Sequence, residues 1–252
     1  MMPVKSSKQN LKKNSMSKGK LYMIPTTLGE SGVAKVLPIY IKDTIHQLDE
    51  FIVENSKTAR AFLKLMEIPT PQNQLKLHTL NKHTKAQELH PFLDACRKGK
   101  NIGLISDAGC PGVADPGAEI VNLAHKEDIK IIPLVGPSSI LLSLMASGMN
   151  GQSFAFNGYL PIDKSDVKKK LKDLEHISRS KDQTQLFIET PYRNTKLIET
   201  LYQTLQSNTK LCIACDITLN TELIKTRTIA EWKKNPIPKV HKRPCIFLIH
   251  AQ

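Results

Sequence analysis

The chain has no long hydrophobic run. Nothing in it approaches the roughly 18 consecutive apolar residues that would cross a bilayer, and the N-terminus lacks the apolar stretch of a secretory signal. Both absences lead to the expectation of a soluble, unexported, cytoplasmic protein with no membrane partner. Cysteine is sparse: five residues scattered over 252 positions form an odd set that does not suit a disulfide framework and fits a reducing compartment. No G-x-G-x-x-G follows the first apolar run, and no G-x-x-x-x-G-K occurs, so the usual phosphate cradles are missing. That favours a cofactor held by shape and backbone hydrogen bonds over one carrying a pyrophosphate. Metal spacing is missing too. His78, His83 and His90 lack it, and Cys212 and Cys215, at an odd separation within an apolar strand, fall on opposite faces with no second pair to complete a zinc site.

Positive charge is what the chain has in excess. Lys and Arg number 36 against 23 Asp and Glu, for a formal net charge of +13, and such a surface favours anionic partners such as nucleic acid through counterion release. Part of the excess lies in residues 1–20, where Lys5, Lys8, Lys12, Lys13, Lys18 and Lys20 occur without an acid and without apolar periodicity. This segment reads as a flexible basic arm. Lys168 to Lys170 with Lys172 read as a solvated helix face, and simple packing is the default for Trp232 beside Lys233 and Lys234.

From Leu21 onward the pattern is that of an α/β protein, with short apolar runs bounded by Gly and Pro and separated by amphipathic stretches. Residues 21–24, 102–105 and 130–135 are strand candidates. Between the last two, Asp115 as N-cap and Pro116 at N1 predict a helix whose apolar face is Ile120, Val121, Leu123 and Ala124. This order argues for a parallel sheet with right-handed crossovers. After Gly136-Pro137, an apolar helix from Ser138 to Ser147 stops at Gly148 and should be buried on nearly all sides. Residues 154–161 then make a strand and a turn. The second half repeats the alternation: a helix from Ser165, a strand over 185–189, a helix capped by Thr190 and opened by Pro191, and strands over 211–217, 223–229 and 245–250. The expected organisation is an arm over 1–20, an N-terminal α/β domain over 21–135, a connecting segment over 136–161 and a C-terminal α/β domain over 162–252.

Ligands of open parallel sheets bind beyond the carboxyl ends of strands, where helix N-termini and loops present unpaired backbone donors. Three Gly/Pro-rich loops lie at such ends, over 25–32, 106–117 and 136–139. The middle loop, Ser106 to Gly117, packs three glycines, two prolines and two aspartates into twelve residues. Glycine there lets a ligand approach the backbone, and Asp107 can accept hydrogen bonds from ligand hydroxyls or amines. Asp115 reads as a helix cap.

These residues resemble the tetrapyrrole methylase superfamily, and within it the bacterial 16S ribosomal RNA small-subunit methyltransferase I group. The resemblance rests on Ser106-Asp107-Ala108-Gly109 with Asp115-Pro116-Gly117, the Gly136-Pro137 turn, Ala146-Ser147-Gly148, and Phe156-Asn157-Gly158-Tyr159-Leu160-Pro161, all in order. Weaker echoes are Leu21 to Thr26, Val53 to Thr58 and Glu189 to Arg193. It implies two α/β domains of the tetrapyrrole methylase type that hold S-adenosylmethionine in the cleft between them, usually in a homodimer. It also implies an enzyme that methylates a ribose hydroxyl of ribosomal RNA without a metal. The cofactor-facing positions it implies are Thr26, Asp107, Ala108, Gly109 and Val113, then Ser138 and Ser139, then Phe156, Asn157 and Gly158. Glu54 and Lys57 are the catalytic candidates, as nucleotide-positioning or proton-removing groups, against the plainer reading of a surface ion pair. The chain departs from the group's E-D-T-R segment with Glu54-Asn55-Ser56-Lys57, and Lys cannot supply the bidentate fork of Arg. Two other readings stand beside this one: the same fold acting on a tetrapyrrole or protein acceptor, and a non-catalytic RNA-binding protein.

Overall fold

The computed structural model describes residues 17–80 and 84–252; Lys5, Lys8, Lys12, Lys13 and His83 lie outside them. The first half runs β1 (Lys20–Ile24), α1 (Val33–Val36), α2 (Tyr40–Ile45), β2 (Glu50–Val53), α3 (Ser56–Leu65), β3 (Lys76–Thr79), α4 (Asp94–Arg97), β4 (Ile102–Ile105), α5 (Ala118–Lys126) and β5 (Lys130–Pro133). Its strands form a parallel sheet in the order β3-β2-β4-β1-β5. Period-two alternation feeds two cores. Leu21, Met23, Ile52 and Leu104 pack on one face with Leu93, Ile120 and Ala124, while Ile24, Phe51, Val53 and Ile105 pack on the other with Ile41, Phe62 and Leu63. β2 and β3 escape the sequence reading; the edge strand β3, Lys-Leu-His-Thr, buries none of its side chains fully.

The second half runs α6 (Ser139–Ser147), β6 (Phe154–Tyr159), α7 (Lys164–Lys181), β7 (Thr184–Ile188), α8 (Asn194–Thr204), β8 (Lys210–Cys215), β9 (Leu223–Thr228), α9 (Ile229–Lys233) and β10 (Cys245–His250). Here strands and helices alternate as expected, except that β9 follows β8 directly, and the sheet is mixed. The order is β6-β7-β10-β8-β9, and only β6 and β7, joined through α7, run parallel. The other three pairings are antiparallel. β8 and β9 have only residues 216–222 between them, too few for the crossover a parallel pair needs. Cys212 and Cys215 do face opposite sides, in different cores, and all five cysteines are free.

Four helix readings also change. α5 begins at Ala118, not at Asp115, because Ala114 and Gly117 sit at positive φ (59° and 139°) and keep the chain turning through Pro116. α7 begins at Lys164, one residue before Ser165, capped by the Asp163 carboxylate, which accepts from the Ser165 and Asp166 amides. Thr190-Pro191 opens a three-residue 3₁₀ turn, Pro191–Arg193, ahead of α8. α6 is not buried all round: Ile140 and Leu144 pack on β10 and β8 neighbours, but Leu141 and Met145 are 51% and 79% exposed. Gly148 does end it in the left-handed conformation. Trp232 is buried and donates Nε1–H to the Leu211 carbonyl at 2.8 Å, which is the packing role. Among the described residues no helix is long and apolar enough to cross a membrane.

Candidate cofactor site

Three loops leave the carboxyl ends of the first sheet and meet one face of the second. Their meeting is enforced by backbone. The Thr26 amide donates to the Gly109 carbonyl at 3.0 Å. The Cys110 thiol reaches the Gly136 and Pro137 carbonyls at 3.7 and 3.4 Å. A Cβ on Gly136 would stand 2.3 Å from two ring carbons of Pro25, so only glycine lets the first and third loops touch. Burial pushes the Cys110 thiol upward in pKa, which keeps it protonated as a donor to those carbonyls.

The loops enclose a cavity of about 240 Å³. Asp107, Ala108, Gly109 and Val113 line it from the second loop, Ser138 and Ser139 from the start of α6, and Phe156 from β6. The structure thus gathers seven residues that the sequence reading selected. The other three stand behind. Thr26 is buried and ties loop to loop. The Asn157 amide is committed to the Ala155 and Leu186 carbonyls and to Gln185. Gly158, at φ 64°, sits in the irregularity between Phe156 and Tyr159 of the β6 pairing. The sequence reading placed Leu28 only within the 25–32 loop and missed the far wall, Ile188 and Ile246. A second cavity, also about 240 Å³, shares Leu28, Ala108, Ser139, Ile188 and Ile246 with the first and extends to Tyr159, Glu189, Pro191 and Pro244. Each space alone is smaller than the roughly 300–1,000 Å³ of a drug-sized ligand site, and the five shared residues make the two neighbours along one trough.

The chemistry of this trough fits a nucleoside-like sulfonium. Its lining mixes aliphatic and aromatic side chains with Asp107, Asp115, Glu189 and Asp216, and the Ser138 side chain makes no cap bond of its own. One Asp107 oxygen accepts from Thr58 Oγ1 at 2.6 Å. Among the described residues no group of three His, Cys, Asp or Glu side chains could hold a metal.

Glu54 and Lys57 separate. Glu54 follows β2 and is half-buried, with a side-chain hydrogen bond to Asp115 of the glycine-rich loop. Lys57 is exposed on the first turn of α3, and no ion pair joins it to Glu54 among the described residues. Asn55, which stands where the group's pattern has Asp, is the N-cap of α3, accepting from the Lys57 amide at 2.9 Å. Burial, then the Glu54 hydrogen bond, then the charges of Glu54 and Asp107 push the Asp115 carboxyl up to about 8. Asp115 therefore holds a proton at neutral pH, and its role as helix cap is replaced by this pairing.

That proton has a consequence for stability. The folded chain keeps it between about pH 4 and 8, where an unfolded Asp has lost it, so folding stability falls as pH rises through that window. Asn cannot ionise. Asp115→Asn is expected to match the wild type near pH 4 and to exceed it at pH 8.5 by on the order of 2 kcal/mol, at about 1.4 kcal/mol per unit reduced for partial exposure. Urea melts at the two pH values check it; a gain equal at both would remove the shared proton from the account.

Two solved structures share the frame. A diphthine synthase superposes with a TM-score of 0.65 at 14% identity, covering 92% of this chain and 90% of that one. The methyltransferase CobJ superposes with a TM-score of 0.61 at 17% identity, covering 92% and 94%. Parallel sheet, mixed sheet and the trough between them define the fold class, that of the tetrapyrrole methylases. No family model matches the chain, but curated relatives narrow the class. Ribosomal RNA small subunit methyltransferase I of Bacillus subtilis is 30% identical over 213 residues, 84% of this chain and 68% of that protein. The Buchnera aphidicola (Schizaphis graminum) enzyme of the same name is 30% identical over 240 residues, 94% and 80%. That of Vibrio cholerae is 29% identical over 211 residues, 84% and 69%. The chain belongs to the ribosomal RNA small subunit methyltransferase I family.

Proposed function

We propose that this methyltransferase moves the methyl group of S-adenosylmethionine onto a ribose hydroxyl of ribosomal RNA, in the cytoplasm and as a homodimer. The observation that carries the reading is the Glu54–Asp115 pair, whose Asp115 lines the trough. The cofactor, when bound, supplies an already activated methyl group, so the chain has to position, exclude water and accept one proton. Asp107, Gly109, Val113, Ser138, Ser139 and Phe156 hold the donor, with Thr26, Asn157 and Gly158 fixing the loops that carry Ala108 and Phe156. Glu54 takes the hydroxyl proton as the oxygen attacks in line, and the protonated Asp115 orients the Glu54 carboxylate by hydrogen bond. Lys57, exposed on α3, contacts the nucleotide's phosphate as a point charge. The net charge of +13 supplies long-range attraction to the RNA.

Mass spectrometry of ribosomal RNA from cells with and without the protein tests this. One methyl group on a small-subunit ribose is expected to vanish with the protein. An unchanged ribosomal RNA, with methyl transfer instead to a tetrapyrrole or a protein side chain, would move the enzyme to another acceptor. Calorimetry that finds no affinity for S-adenosylmethionine would leave a non-catalytic RNA-binding protein.

A further inference from the structure

The sequence holds one tryptophan and the fold buries it, yet it leaves another aromatic ring in the open. Tyr192, in the 3₁₀ turn after β7, is 70% exposed. The Lys242 ammonium stands 5.7 Å from its ring centre, and the His241 imidazole meets it nearly edge-on at 6.2 Å. The ring is exposed but its mounting is built. The Lys242 amide donates to the Pro191 carbonyl at 3.0 Å, and the buried Asn194 amide donates to the Arg243 carbonyl at 2.7 Å, which pins the loop before β10 to the start of α8. Arg243 in turn donates to Asp216 at 2.8 Å and to the Lys239 carbonyl at 2.6 Å.

We propose that Tyr192, with His241 and Lys242 around it, is a stacking platform for an unpaired base of the substrate RNA, set at the mouth of the trough. This rests on the ribosomal RNA reading above for the identity of the partner. Continuity places it: Pro191 and Pro244, which wall the trough, lie next in the chain to Tyr192 and to Arg243. Charge selects the occupant. Lys196, Lys239 and Lys242 are exposed and make no ion pair among the described residues. A hollow of about 470 Å³ lined by Lys164, Arg193 and Lys196 adjoins them. The acids of that hollow are already committed, Asp163 to the α7 cap and Glu189 to Arg193 at 2.5 Å. An aromatic face among unpaired cations is the arrangement that holds single strands by stacking and phosphate contact. A duplex keeps its bases stacked and offers none to the ring.

The test uses the full chain, a fluorescent unstructured RNA oligonucleotide and the same sequence as a duplex. Tyr192→Ala is expected to weaken single-strand binding by roughly 5- to 100-fold, the range that loss of one stacked base gives. Tyr192→Phe should stay near wild type, and S-adenosylmethionine affinity should stay constant in both. Lys242→Gln, a surface change that leaves the ring in place, should reduce the slope of log affinity against log salt by about 0.7. Wild-type single-strand affinity in Tyr192→Ala overturns the proposal, and so does an equal loss for the duplex. A lowered molar mass by light scattering with RNA affinity intact would also overturn it, by assigning the ring to self-association. If Tyr192→Ala loses the oligonucleotide while the wild-type protein leaves ribosomal RNA unmethylated, the platform stands and the acceptor assignment falls.

Discussion

Gly109→Val is expected to reduce S-adenosylmethionine affinity by more than 100-fold, about 3 kcal/mol, measured by calorimetry on protein whose circular dichroism shows the fold retained. Gly109 sits at φ 77°, where a β-branched residue is strained by roughly 1–3 kcal/mol. A Cβ there would stand 3.0 Å from Leu28 Cδ2 and 3.2 Å from the Pro137 carbonyl oxygen. Leu28 can swing; a backbone oxygen cannot. The two methyl groups of Val would then occupy space between the second and third loops, where both cavities have their common wall. Gly109→Ala carries the strain and the Cβ without the branches, so about a tenfold loss is expected. Binding unchanged in the Val variant would mean that the cofactor lies elsewhere than against this loop.

Why the loop was readable while its far wall was not follows from where each signal resides. Gly109, Gly112 and Gly117 all lie at positive φ, so their identity is a local requirement that shows in the sequence as an unusual cluster. Ile188 and Ile246 are ordinary strand residues. They become walls only because β7 pairs with β10 in a register that sets Ile246 opposite Ile188, and strand pairing is a tertiary fact with no local mark. The same reasoning covers the second sheet, whose strand directions the sequence reading left open. Strand lengths and apolar content are alike in both arrangements, and only the short β8–β9 connection distinguishes them. Asp115 shows the converse error. The Asp-Pro dipeptide carries a true local preference for a helix start, but Ala114 and Gly117 at positive φ keep the chain turning past it and leave Asp115 beside Glu54 instead. Tyr192 entered the sequence reading only as part of the Glu189 to Arg193 stretch because exposure leaves no trace in a sequence, whereas Trp232 drew notice beside Lys233 and Lys234.

The second large effect concerns the carboxyl pair. Glu54→Gln keeps the size of the side chain and its hydrogen bond with Asp115 but removes the proton acceptor. The single-turnover rate of methyl transfer to ribosomal RNA is expected to fall by about 10²- to 10⁴-fold, with S-adenosylmethionine affinity unchanged, because Glu54 stands outside the cofactor walls. Asp115→Asn should behave differently. Since Asp115 already carries its proton at neutral pH, an amide that cannot ionise imitates the working state, and the rate at pH 7 should stay within severalfold of wild type. Above about pH 8 the wild-type Asp115 ionises and sets a further negative charge beside Glu54 and Asp107, against an anionic substrate. The wild-type rate should therefore decline there while that of Asp115→Asn does not. Lys57→Gln, whose side chain is exposed and unpaired with Glu54, should cost less than about tenfold and act on RNA affinity, since a single phosphate contact carries only one counterion. If instead Asp115→Asn abolishes transfer and Glu54→Gln spares it, the proton passes to Asp115, and Glu54 is the group that sets its pKa.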